Sequence, residues 1–195
     1  MMEWLKLLEH TTGNLNHLNV IHVAGTKGKG STCAFVASLL KAHGDDTGYP
    51  QKIGLYTSPH IKNIRERISI NGELILRDLF TSHFFKVWDR LLSKATNNLN
   101  ILCYLQLLAL LFFHVFIKEK VNVAVYETHL GGEFDAMNII EMLTVMIIAS
   151  IVMNHVNLLE PMIEHIAWHK GGIFKSESIA LSASQKQAIA EVLQQ

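Results

Sequence analysis

Short, unbroken apolar runs alternate along this chain with longer stretches in which apolar residues recur every three or four places. Four of the short runs read as buried strands: "LNVIHVA" (18–24), "KIGLYTS" (52–58), "VNVAVYE" (121–127) and "LTVMIIASI" (143–151). Helical spacing marks 3–9, 31–44, 77–95, 163–174 and a last stretch over 184–194. "TTGN" (11–14) is expected to break the first of these. Gly44 is the expected stop of the second, and Gly171-Gly172 of the fourth. "RERISINGELI" (65–75) alternates around Asn71-Gly72, a strong hairpin turn signal.

The apolar run 101–117, "ILCYLQLLALLFFHVFI", must be weighed as a membrane span. It sits at the lower end of the spanning length and carries Gln106 and His114, so a buried helix is the better reading. Strands alternating with helices then predict an α/β fold, a mostly parallel sheet flanked by helices on both faces.

Composition adds constraints. Hydrophobic residues make up 49% of the 195 and charged residues 17%, enough to bury a sizeable core. The formal net charge is zero, which argues against a nucleic-acid surface or a polybasic membrane anchor. Cys33 and Cys103 are too few for a disulfide framework or a zinc site, so a reducing compartment fits. "MMEWLKLLEH" lacks the basic start and apolar run of a signal peptide, and no Arg-rich presequence is visible. The cytosol is the expected compartment, with the mitochondrion as the alternative.

The chemistry concentrates first at "VIHVAGTKGKGSTCAF", where a strand hands over to a helix through three glycines and two lysines. A Walker A loop reads G-x-x-x-x-G-K-[ST]; here Gly30 follows Lys29, Ser31 arrives one place late, and Gly25 stands only three places before Gly28. The strict pattern is missed, yet the ingredients of an anion site are present: glycine turn, lysine and helix N-terminus. Phosphate binding is the expectation.

This loop resembles that of folylpolyglutamate synthase and dihydrofolate synthase, within the Mur ligase superfamily, whose typical form is G-T-[KN]-G-K-G-S. Three further stretches carry the resemblance in the family's order. They are "GLYTSPHIKNIRERISINGELI" (54–75), "EKVNVAVYETHLGGEFDAMNII" (119–140) and "NHVNLLEPMIEHIAWHKGGIFK" (154–175).

The resemblance implies a P-loop-type Mur ligase central domain. It also implies an ATP-dependent ligase that phosphorylates a terminal carboxyl of a folate and joins it to glutamate. ATP and Mg²⁺ are the implied cofactors, and a tetrahydrofolate and L-glutamate the implied partners, with no nucleic acid and no membrane, in a monomer. Gly25, Thr26, Lys27, Gly28, Lys29, Gly30, Ser31 and Thr32 would cradle the triphosphate. Ser58, Glu127 and His155 would hold metal. Lys29, Glu127, His155 and Lys170 would serve the reaction, Lys170 matching a lysine that is carbamylated in many relatives. His60, Arg65 and Arg67 would face the folate. Each has a plainer rival: Ser58 as a turn residue before Pro59, Glu127 as a paired strand-end carboxylate, His155 as one of 11 histidines, Lys170 as a solvated charge.

The chain also departs from the family's pattern. His129 stands where the family has glycine, Glu133 replaces arginine, Met137 replaces threonine, and Asn154 replaces the aspartate before His155. A histidine forced to positive φ would cost about 1 kcal/mol or more. Family members are more than twice as long, so residues 1–195 are expected to form a partial N-terminal ATP-binding domain, incomplete and without the C-terminal glutamate-ligase domain. Weak or no ligase activity is then expected of this polypeptide alone. A non-catalytic nucleotide- or folate-binding remnant and a dihydrofolate synthase are the competing readings.

Overall fold

The computed structural model describes residues 1–94, 102–153 and 162–194. In chain order the elements are α1 (Met2–Leu7), α2 (Thr12–Asn16), β1 (Ile21–Ala24), α3 (Lys29–Thr47) and β2 (Ile53–Tyr56). A 3-10 turn (Ile64–Arg67) leads into β3 (Ile68–Ile70) and β4 (Glu73–Leu74). Then come α4 (Arg77–Lys94), α5 (Tyr104–Lys118), β5 (Val123–Glu127), β6 (Val145–Ile148), α6 (Ile163–Gly171), β7 (Ile179–Ser182) and α7 (Gln187–Leu193).

The strands form one sheet in the order β4-β3-β2-β5-β1-β6-β7. Pairing is parallel from β2 through β7, and β3 and β4 add an antiparallel edge. The expected mostly parallel sheet is therefore present. Asn71 (φ 53°) and Gly72 (φ 84°) are both left-handed, which is what a two-residue turn of matching twist requires between β3 and β4.

Two apolar cores lie on opposite faces. The larger is built around α5, where Leu108 through Phe116 are all buried, His114 among them. This helix is apolar all round because it lies under α4 and against the sheet. The Phe116 ring occupies the space where a side chain on Gly54 would stand. Among the described residues no helix is long and apolar enough to cross a membrane. The smaller core sets α3, through Cys33, Val36 and Leu40, against Ile21, Val23, Val123 and Val125.

Several boundaries differ from the sequence expectation. "TTGN" does not break structure; Thr11 caps α2, its hydroxyl accepting from the Asn14 amide while the Asn14 side chain accepts from the Thr11 amide. α3 starts two residues before Ser31 and runs through Gly44 to a left-handed Gly48 (φ 84°). Gly44 is instead the place where the Pro50 backbone crosses the helix and leaves no room for a side chain. β7 was not expected at all: all four of its residues are exposed, so its sequence carries no burial signal.

Candidate functional site

The parallel strands all end on one side of the molecule, and the site is assembled there. β1 ends at Ala24 and turns sharply into α3. Gly25 has φ 147°, and a Cβ on it would stand 2.9 Å from that of Ala149, so neither conformation nor space admits a larger residue. Gly28 (φ 83°) then caps α3 in the left-handed region.

Inside the turn, backbone groups divide into two sets. The amides of Thr26 and Lys27 both donate to the Ser150 carbonyl, at 2.8 and 3.2 Å. The Thr26 hydroxyl donates to the Val152 carbonyl at 3.2 Å and accepts from the Val152 amide at 3.3 Å. These bonds strap the turn to the segment after β6. The first amide of α3 to find an acceptor within the helix is that of Thr32, which donates to Gly28 at 2.9 Å. The four before it, Gly28 to Ser31, are the unpaired N–H groups of a 19-residue helix, whose N-terminus favours an anion.

Facing them is Glu127, the last residue of fully buried β5. Its Oε2 accepts the Ser58 amide at 3.0 Å, which brings the end of β2 to the end of β5. Its Oε1 lies 3.6 Å from the Lys29 Nζ, the two side chains being 7% and 17% exposed. A Cβ on Gly30 would come within 3.4 Å of the carboxylate. Lys170, in the last turn of α6, is buried and donates to the Gly25 carbonyl at 3.1 Å. Burial, helped by Lys29, lowers its ammonium to about 8. Gly25, Gly28, Lys29, Gly30, Ser58, Glu127 and Lys170 thus come together in one crevice. His155 and Asn154 lie outside the described residues.

Among the described residues no group of three or more His, Cys, Asp or Glu side chains gathers that could hold a metal. The donor set present is one carboxylate next to a serine. That suits Mg²⁺, which prefers one or two protein oxygens together with water and phosphate oxygens, rather than an all-protein cage.

The residues expected to face a folate are bound to the chain itself. Arg67 is buried; its Nε donates to His60 Nδ1 at 3.0 Å and its Nη1 to the Tyr56 hydroxyl at 3.3 Å. Arg65 donates to the Asn63 side chain and to the Ile75 carbonyl. Beside them lies a mostly apolar pocket of about 460 Å³, lined by Cys103 and Gln106 at the start of α5, by His129, Leu130, Phe134 and Asp135 and by His169. Gly132 presses against the Lys170 backbone, so this pocket borders the crevice.

No role was expected for Asp135, yet it organises that pocket. Its Oδ2 accepts the His129 and Leu130 amides at 2.9 and 3.1 Å and its Oδ1 the Met137 amide at 2.9 Å. Burial would raise its carboxyl, but His129 and these amides hold it below the usual carboxylate range. An aspartate two residues before its partner amide in "EFDAMN" is the local signal that could have found it. His129 itself is not at positive φ, so the strain considered for it does not arise. Glu133 sets its carboxylate 3.4 Å from His169 Nδ1, and Met137 is fully buried.

Comparison with known proteins places this arrangement. No family model matches the chain. It is similar to a probable folylpolyglutamate synthase of Schizosaccharomyces pombe, 43% identical over 195 residues, 99% of this chain and 39% of that protein. A folylpolyglutamate synthase of Neurospora crassa is 43% identical over 198 residues, 99% of this chain and 38% of that one. Among solved structures, the Mycobacterium tuberculosis folylpolyglutamate synthase complexed with ADP and AMPPCP superposes with a TM-score of 0.85 at 28% identity, covering 98% of this chain and 42% of that chain. The apo form of the L. casei enzyme gives 0.85 at 30% identity, over 98% and 45%. The chain thus spans less than half the length of the proteins it matches.

Proposed function

Starting from a chain that belongs to the folylpolyglutamate synthase family, we propose that it binds ATP with Mg²⁺ as the nucleotide-binding part of a folate–glutamate ligase. The observation that carries this reading is the meeting of the unpaired α3 amides, Lys29, Ser58 and Glu127 in one crevice. Relatives of the same fold are complexed with ADP and AMPPCP, which supports it. In this reading residues 1–195 contribute the phosphate loop and the metal-facing strand ends of an ATP-binding domain.

Each part has a physical task. The amides of Gly28 to Ser31 cradle phosphate oxygens, as a helix N-terminus does. Thr26 and Lys27 serve through the strap to Ser150 and Val152, which holds the turn open around that anion. Lys29 leaves Glu127 for the phosphates, giving a charge-assisted bond that offsets their negative charge. Glu127 and Ser58 would hold the metal, with His155 as a further donor. When bound, Mg²⁺ supplies charge neutralisation on the transferring phosphoryl group. Lys170, lowered to about 8, keeps part of its amine neutral near physiological pH, the form that carbamylation requires.

The neighbouring 460 Å³ pocket has the size and the apolar wall for the ring system of a tetrahydrofolate, with Gln106, His129 and Asp135 as polar partners. His60, Arg65 and Arg67 then brace that wall. The acceptor carboxylate would be phosphorylated at the boundary of pocket and crevice, and glutamate would complete the amide. Two free cysteines, Cys33 buried and Cys103 exposed, fit a reducing compartment such as the cytosol.

Isothermal titration of the chain with ATP, with and without Mg²⁺, tests the reading. Lys29→Ala is expected to weaken MgATP binding by about tenfold or more, the value of one charge-assisted phosphate contact. Unchanged affinity in that variant would remove the loop from the site.

A further inference from the structure

The segment that straps the phosphate loop is out of phase with the strand it continues. Along β6, every second residue faces β1: the Val145 and Ala149 amides donate to the Val20 and Ala24 carbonyls at 3.3 and 2.8 Å. The residues between them face β7, as where the Ile148 carbonyl accepts the Ala183 amide at 2.8 Å. Carried one step further, this parallel ladder would bring the Ala149 carbonyl to the Thr26 amide and turn the Ser150 carbonyl toward β7. The reverse is found. It is the Ser150 carbonyl that faces the loop and accepts the Thr26 and Lys27 amides, while the Ala149 carbonyl is taken from the β7 side.

The group that takes it is the side chain of Gln185, half-buried between β7 and α7. Its Nε2 donates to the Ala149 carbonyl at 2.9 Å, and its Oε1 accepts the Ile151 amide at 3.1 Å. One planar amide thus holds the backbone groups on either side of Ser150, as a neighbouring strand would. The same nitrogen lies 3.3 Å from Ser182 Oγ, which ties the amide to the end of β7. On its opposite side the segment carries the loop, through Ser150 and through Val152, which bonds the Thr26 hydroxyl. A glutamine that only anchored the start of α7 would have no need of both Ala149 and Ile151.

We propose that Gln185 is a positioning residue of the phosphate loop. By holding Ala149 and Ile151 it keeps the Ser150 carbonyl turned inward, where Thr26 and Lys27 are bound, and so sets the affinity for the triphosphate without touching it. The proposal rests on the ligase reading given above and adds to it the residue that fixes the loop from behind. Without that amide the segment can fall back into the phase of the ladder, and apparent affinity drops by the fraction of chains that do so.

Two measurements on the full chain test this, with Gln185→Met and Gln185→Glu as variants of similar length and Val87→Ala as a control. Val87 is fully buried on α4, so its truncation lowers Tm away from the loop. In the ligand-free chain, Gln185→Met is expected to speed amide exchange at Thr26 and Lys27 by about tenfold, while Thr32, bonded within α3, changes by less than about twofold. In titrations, Gln185→Met is expected to weaken ATP by about tenfold both with and without Mg²⁺, so that the tightening by Mg²⁺ is kept. Gln185→Glu, which sets a carboxylate against the Ala149 carbonyl, should do the same. Unchanged exchange at Thr26 and Lys27 in both variants would overturn the proposal, as would unchanged MgATP affinity. It is equally overturned if Val87→Ala loses as much affinity for the same fall in Tm, the mark of a general loss of structure. A parent chain that binds no MgATP defeats the ligase reading and with it the effect on affinity, and the exchange rates then decide alone whether Gln185 holds the loop.

Discussion

At the scale of single residues, the turn after β1 shows why small changes there should be costly. Gly25 is both left-handed and pressed against Ala149. Gly25→Ala is therefore expected to lower stability by about 1–3 kcal/mol in urea denaturation, and to weaken MgATP binding as the strap to Ser150 shifts. A variant as stable and as tight-binding as the parent would contradict that account. The glycines, Lys29 and Glu127 were legible because turn chemistry and strand ends leave marks in sequence. The employment of Thr26 and Lys27 by Ser150 was not, since a carbonyl from a distant segment has no sequence signature. Arg67 shows the same limit: an arginine in a motif reads as a ligand-binding group, and only packing reveals that Tyr56 and His60 already occupy it.

Between elements, the contact of α1–α2, α4 and α5 contains a cluster of buried histidines. His10 Nε2 lies 2.9 Å from His114 Nδ1, and the His83 ring stands edge to face with His114 at 5.3 Å. Burial, with the nearby His10 and His83, lowers His114 to about 3, and burial lowers His10. Both groups therefore bind protons in the unfolded chain near 6.5 but resist them when folded. Stability is fully present above about 6.5 and falls as pH drops from there toward 3. His114→Phe is expected to flatten that decline, as read by Tm across the range; an equally steep decline would exclude His114 as its source. The elements themselves were mostly readable from periodicity, including the buried helix α5. Two were not: α2, because "TTGN" serves as a cap rather than a stop, and β7, because an exposed edge strand has no alternation to detect.

Across the whole molecule, the two faces of the sheet are unequally covered. On the α3 side, β6 is half-buried at Val145 and Ile147, while their β7 neighbours Ile179 and Leu181 are 59% and 51% exposed. Phe35 and Leu39 on α3 are exposed as well. This apolar surface is expected to bind a hydrophobic dye and to promote self-association of the 195-residue chain. Leu181→Lys should reduce both with little change in Tm; unaltered dye binding would show that the surface is not responsible. The stretch of the relatives that this chain matches is less than half of their length.

The central claim is that Glu127 and the α3 N-terminus act on one bound nucleotide through a shared metal. It is tested most directly by measuring ATP affinity across a Mg²⁺ titration in the parent chain and in Glu127→Gln, which keeps the Ser58 amide bond but removes the charge. The account predicts that Mg²⁺ tightens ATP binding in the parent by about tenfold and that the variant loses most of this gain. A Glu127→Gln chain that keeps the full Mg²⁺ dependence would contradict it.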